Sequence, residues 1–192
     1  MDIAERILFG VEDSESARQA GATAGALLKY RKNTNITIFY GAPDPQLSSL
    51  AKVLRRTPKA VEEYRKVCSL QEHRILEQAQ EALIDSGFNA DRVTLRGEGK
   101  CHDPAETMLQ LAAADASGTI GLGKSSTGRL ERMLMGSVSY RLAHCADEKT
   151  IWVIDPPIVS NDVLVALGGG DISRRVMEHA VRYFAHLKES KF

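Results

Sequence analysis

The stretch Gly121-Leu122-Gly123-Lys124-Ser125-Ser126-Thr127-Gly128-Arg129 carries the residue types that hold an anion. Small residues let backbone amides approach a phosphate, hydroxyls donate, and Lys124 and Arg129 add positive charge. The stretch feeds Met135-Gly136-Ser137-Val138-Ser139, the opening of a helix, where free amides favour negative groups. A solvated strand-to-helix loop has the same composition, so composition alone leaves both readings open.

Gly118 followed by Gly123, Lys124 and Ser125 also satisfies the pattern G-x-x-x-x-G-K-S of a phosphate loop. That motif needs a strand ending just before its first glycine. Here the Ala-rich run Ala112-Ala113-Ala114 precedes Gly118, and the apolar strand Thr119 to Leu122 lies inside the pattern, so the context speaks against it. Cys101-His102-Asp103 has the residue types of a metal site or a nucleophile, but no second His/Cys cluster offers ligand spacing, which favours an ordinary loop. His144 reads as a complement to a helix carboxyl end. Trp152 and Tyr140 read as packing residues, because no alternation of basic and aromatic residues accompanies them.

The elements that must position the anion loop follow from apolar periodicity. The short unalternating run Ile7 to Val11, with further runs at Ile36 to Tyr40, Arg92 to Arg96, Thr119 to Leu122 and Thr150 to Ile154, predicts five strands. Between them, helical spacing appears at Ala17, Ala20, Gly21, Ala24, Leu27 and Leu28, and over about Ala60 to Ser86. It appears again from Pro104 to Ala114, and at Leu130, Leu134, Val138, Leu142 and Cys145. Strand and helix therefore alternate, which predicts an α/β fold with a mostly parallel sheet and helices on both faces. In such a sheet ligands bind outside the carboxyl ends of strands where the strand order reverses.

The chain as a whole sets limits on partners. Its 192 residues are 43% hydrophobic, enough for a real core, and 25 Lys and Arg balance 25 Asp and Glu. Without a basic excess there is no field to draw nucleic acid, and no apolar run approaches the roughly 20 residues of a membrane span. Three widely spaced cysteines, Cys68, Cys101 and Cys145, fit reduced thiols in the cytoplasm better than a disulfide framework.

Over about residues 6 to 155 the sequence resembles the universal stress protein family. The family signature G-x2-G-x9-G-[S/T] after the fourth strand is filled by Gly123, Gly136 and Ser137, with Ser126 at the middle glycine, and the run Arg132 to Ser139 is very similar to the family's usual stretch. Ile7-Leu8-Phe9-Gly10-Val11-Glu12-Asp13-Ser14 is similar to its apolar strand ending in V-D-x-S, with Glu12 where the aspartate usually stands. His102-Asp103-Pro104-Ala105-Glu106 is similar to its G-x-P-A-x turn. The resemblance implies an open parallel five-stranded sheet in order 3-2-1-4-5 of the adenine nucleotide α hydrolase-like type. It further implies a cytoplasmic sensor or signalling module that binds ATP or a related adenine nucleotide, with Mg2+ as a compatible companion. Adenine and ribose would lie near Gly10, Val11, Glu12 and Tyr40 to Ala42, including Gly41; the phosphates would lie on Gly123, Ser126, Gly136, Ser137 and Val138. A longer acid at Glu12 and a Cβ at Ser126 each weigh against nucleotide by about 1 kcal/mol or more if the site needs the shorter residue. Two other functions stay open: a nucleotide-independent interaction module, and an ATP-hydrolysing enzyme, ranked last because no general base and acidic pair falls on the fourth-strand loop. A homodimer through the exposed fifth strand and a further protein partner complete the expectation.

Residues 1–155 thus form one domain, and residues 156–192 form a linker plus a partial second repeat. Val163 to Leu167 entering Gly168-Gly169-Gly170, with Val176, Ala180, Tyr183 and Leu187 behind, repeats the chain's own beginning and resembles a second unit that stops after one strand and one helix. Those two elements cannot bury their apolar faces alone, so they should dock on the first domain or its dimer partner, the strand adding near the fifth-strand edge.

Overall fold

The computed structural model describes residues 5–43, 58–124, 137–145, 149–156 and 163–185. The five expected strands are β1 (Glu5–Gly10), β2 (Thr34–Pro43), β3 (Val93–Cys101), β4 (Thr119–Gly123) and β5 (Thr150–Ile154). They form one sheet in the order β3-β2-β1-β4-β5, every pairing parallel. The helices are α1 (Glu15–Leu28), α2 (Pro58–Asp85), α3 (Pro104–Ala114), α4 (Ser137–Cys145) and α5 (Gly170–Phe184).

The central strands β1 and β4 are covered on both faces, which fits their apolar runs. Ile7 and Phe9 of β1 join Ile36 and Ile38 of β2 in a core closed by α1 and α2, while Leu8 faces the opposite core with Phe39, Met108 and Leu142. The lean face read from the sequence is what lets α1 approach: Ala17, Ala20, Ala24 and Leu28 are all buried. Gly25 is demanded by the neighbouring helix, since a Cβ there would overlap the Ser86 hydroxyl and come within 2.6 Å of the Leu83 carbonyl of α2.

Three expectations need correction. Gly41 does not end β2; it pairs with Glu98 of β3, and β2 runs on to Pro43 through a register irregularity. Gly97 to Cys101, expected as loop, continues β3, because the glycines leave room for an acid of α2: a Cβ at Gly97 would overlap the Glu72 carboxyl group. In the tail, Val163 to Leu167 forms no strand and pairs with no described strand; Val163 and Val165 are half-buried, while Leu164 is 97% exposed. Gly169 and Gly170 take φ of +102° and +68°, and the Gly169 amide donates to Ser173 Oγ at 2.6 Å; these glycines shape the entry into α5.

The helix half of the tail does dock on the first domain. Tyr183 and Ala180 of α5 are buried, and Trp152 of β5 packs edge-on against Tyr183 with ring centroids 4.9 Å apart. Arg182 approaches Glu5 at 3.8 Å. α1 and α2 follow β1 and β2 and serve their side of the sheet; α5 joins that same core beside β5.

Candidate functional site

The strand order reverses between β1 and β4, which makes a crevice at their carboxyl ends. Register brings the expected residues to it from two strands: Gly10 lies beside Leu122 of β4 and beside Phe39 of β2, so Val11 and Glu12 emerge between Gly123 and Tyr40-Gly41. The Val11 amide is already committed, donating to the Phe39 carbonyl at 2.9 Å.

The loop that carries Glu12 is held at both ends. Ser14 caps α1 by accepting the Ala17 amide, and its hydroxyl donates to Glu12 Oε1 at 3.1 Å. Asp13 accepts from Arg74 at 2.8 Å and Gln71 at 3.3 Å, which pins the loop to α2. The structural task of Asp13 is this tie across 61 residues, which spacing along the chain does not reveal.

Glycines at the crevice are there for packing. A Cβ at Gly10 would meet Leu122 and Met108 at 2.7 Å, one at Gly41 would meet Cys101 Sγ at 2.8 Å, and one at Gly123 would lie 3.3 Å from the Ala17 Cα of α1. Close strand-to-helix approach therefore accounts for Gly123 without a phosphate. Lys124, read as positive charge for an anion, instead pairs with Asp155 at 2.6 Å. Its amide donates to the Ile154 carbonyl, and its carbonyl accepts from Ser16. Ser126, Gly136 and Arg129 lie outside the described residues.

Ser137 and Val138 open α4, which as the crossover from β4 to parallel β5 starts at the same carboxyl edge. Ser137 is exposed, whereas Val138 packs on the second core and Leu142 is fully buried. Arg141 pairs with Asp103, which also caps α3 by accepting the Ala105 and Glu106 amides. The Glu106 amide foremost, then Arg141 and last the Ala105 amide, hold the Asp103 carboxyl below its ordinary range. Cys101 is buried with Sγ 3.5 Å from Thr107 Oγ1, so the Cys101-His102-Asp103 trio is taken apart by capping and packing.

Tyr40, one of the residues expected near adenine, stands in the last half of β2 beside acids that the sequence did not single out. Tyr40 is pushed above its ordinary pKa by burial, with Asp13, Cys68, Glu72 and Tyr64 adding in that order. Glu72 is likewise raised, by burial and by Glu98. Burial and neighbouring acids thus make this flank of the crevice unfavourable to further negative charge. No cluster of three metal-ligating side chains occurs among the described residues. An open cleft of about 350 Å³ lined by Arg96, His102, Glu106 and Gln110 lies between β3 and α3, away from the order reversal.

The family model for the universal stress protein family matches residues 4–153. The chain belongs to the universal stress protein family. Solved structures agree on the fold: a universal stress protein in complex with cAMP has a TM-score of 0.55 at 16% identity, covering 80% of this chain and 98% of that one. The universal stress protein from Archaeoglobus fulgidus gives 0.52 at 17% identity, over 79% and 98%, and the one from the same organism in complex with dAMP gives 0.50 at 14%, over 79% and 98%. No curated protein sequence matches the chain. The matched region ends before α5, so the tail lies beyond what the family model describes. No helix among the described residues is long and apolar enough to cross a membrane.

Proposed function

We propose that this universal stress protein is a cytoplasmic binding module for an adenine nucleotide, with ATP as its ligand. One observation carries the reading: the order reversal between β1 and β4 opens a crevice with Gly123-Lys124, where the family's signature begins, on one side and the Val11-Glu12 turn on the other. Structural neighbours in complex with cAMP and dAMP support an adenine nucleotide in this fold. Adenine would lie by Tyr40 and Gly41, where further negative charge is unfavourable, and ribose by Glu12. The phosphates would be held by the exposed Ser137 hydroxyl and the start of α4. A Mg2+ ion would be held through the phosphates.

Two observations favour a second reading, a nucleotide-independent interaction module. Glu12 is turned to Ser14, and Lys124 to Asp155, so both side chains must give up a partner to serve a ligand. Denaturing the purified protein and assaying released small molecules separates the two: co-purified nucleotide supports the first, and its absence together with no calorimetric response to ATP supports the second. Ser137→Ala should weaken ATP by about fivefold to tenfold, the worth of one hydrogen bond. Unchanged affinity would place the phosphates elsewhere. Gly123→Val is a poor probe, because its side chain would press on α1. A turnover assay with bound ATP tests whether binding is followed by hydrolysis.

A further inference from the structure

The single tryptophan of the chain, Trp152, stands on β5 and meets α5 through a bond that depends on one proton. Its indole Nε1–H donates to His179 Nε2 at 2.8 Å. An indole nitrogen can only donate, so His179 Nε2 must offer a lone pair, and the ring proton sits on Nδ1, 3.4 Å from Thr150 Oγ1. A protonated imidazole carries N–H on both nitrogens and would set one against the indole N–H. We propose that α5 is a latch over the β5 side of the sheet, held while His179 is neutral and released when His179 takes a proton.

The charges around the ring favour the neutral form. Arg182, one turn on along α5, is a cation that acts on the ring; Arg31 lies over the Tyr183 ring at 5.5 Å; and Lys149, beside Thr150, is tied to the carbonyls of Ala112 and Ser117. From β1, Glu5 is the acid facing the group, and it is engaged by Arg31 at 2.8 Å, by Thr34 at 3.1 Å and by Arg182. On the outer side of α5, Glu178 pairs with Arg174. Burial lowers the His179 pKa most, Arg182 adds to this, and Glu5 works against it.

The attachment is narrow enough for one proton to matter. Ala180 and Tyr183 are the buried residues of α5, joined by half-buried His179 and Phe184, while Ile172 and Val181 remain exposed. Because the docked pKa lies below the ordinary 6.5, the released helix protonates first as pH falls, so docking is at full strength above that value and weakens steadily below it. Release uncovers Trp152 on the edge strand and gives the protein a surface in mild acid that it lacks at neutral pH.

Trp152 reports this directly, since no other tryptophan emits. With the full chain and no ligand, lowering pH from 7.5 to 5 should shift the emission to the red and raise acrylamide quenching, with the far-ultraviolet spectrum of the sheet domain retained. His179→Gln keeps an acceptor for the indole but cannot titrate, and should abolish the transition. Arg182→Gln removes the repelling cation and should move the midpoint to higher pH, a readout that stands even if His179→Gln fails to dock. Emission and quenching that stay constant in the parent over this range would overturn the proposal. A transition that persists unchanged in docked His179→Gln, or an Arg182→Gln midpoint that does not move, would do the same.

Discussion

The Ser14 hydroxyl accepts the Ala17 amide and donates to Glu12 Oε1, both at 3.1 Å, so one side chain starts α1 and restrains the acid that faces the crevice. Removing it separates folding from binding. Ser14→Ala should cost about 1 kcal/mol, the usual worth of a serine cap, read from urea unfolding. ATP affinity should hold or improve as Glu12 is freed; a loss of more than tenfold would mean that Ser14 itself touches the ligand.

Gly25 gives a test of how closely α1 and α2 are packed. On an isolated helix, Gly→Ala stabilises by about 1 kcal/mol. Here the added methyl would overlap Ser86 Oγ and crowd the Leu83 carbonyl, and backbone cannot step aside as a side chain can. The expected outcome of Gly25→Ala is therefore a net loss of about 1–3 kcal/mol in chemical denaturation, of the size seen for overpacking. A gain in stability would show that the helices lie farther apart.

β1 and β4 could be read from the sequence because they are buried on both faces and so appear as short apolar runs, whereas the strand order came from the resemblance to the universal stress protein family. Gly97 to Cys101 escaped that signal. Its glycines mimic a loop, and only the partner strand and the long side chain of Glu72 arriving from α2 make them extended. The crevice was legible in the same partial way. Sequence reading put Glu12 and Lys124 after the ends of β1 and β4, where they stand, but not that Ser14 and Asp155 would engage them, since Asp155 is 31 residues away along the chain. The tail shows the opposite limit: Val163 to Leu167 has a strand's composition but pairs with no described strand, and the neighbouring α5 engages the sheet through aromatic side chains instead.

Glu72 predicts a pH effect with a definite sign. Its carboxyl pKa is raised from 4.5 by burial and by Glu98. As pH rises through 4.5 the unfolded chain loses this proton first, so the folded state holds more protons and stability falls as pH rises through the window above 4.5. Glu72→Gln keeps the shape against Gly97 without a charge. The variant should be at least as stable as the parent at pH 7, with the two converging near pH 4 in thermal scans. A variant that is less stable at pH 7 by more at pH 7 than at pH 4 would show that the ionised carboxylate is used.

The proposed dimer can be tested on the backbone of β5. The Thr150 amide donates to the Gly118 carbonyl and the Ile154 carbonyl accepts from the Lys124 amide, so residues 150, 152 and 154 turn their backbone groups toward β4. Ile151 and Val153 alternate with them and point their amides and carbonyls outward, along an edge that no described strand covers. We propose that a second copy of the chain pairs there. Proline at an outward position removes a donor from the edge but none from the ladder to β4, and edge strands tolerate it. Val153→Pro should therefore keep a thermal midpoint close to the parent while turning a dimer into a monomer in sedimentation at tens of micromolar. A parent that sediments as a monomer, or a folded Val153→Pro that remains a dimer, would remove β5 from the interface.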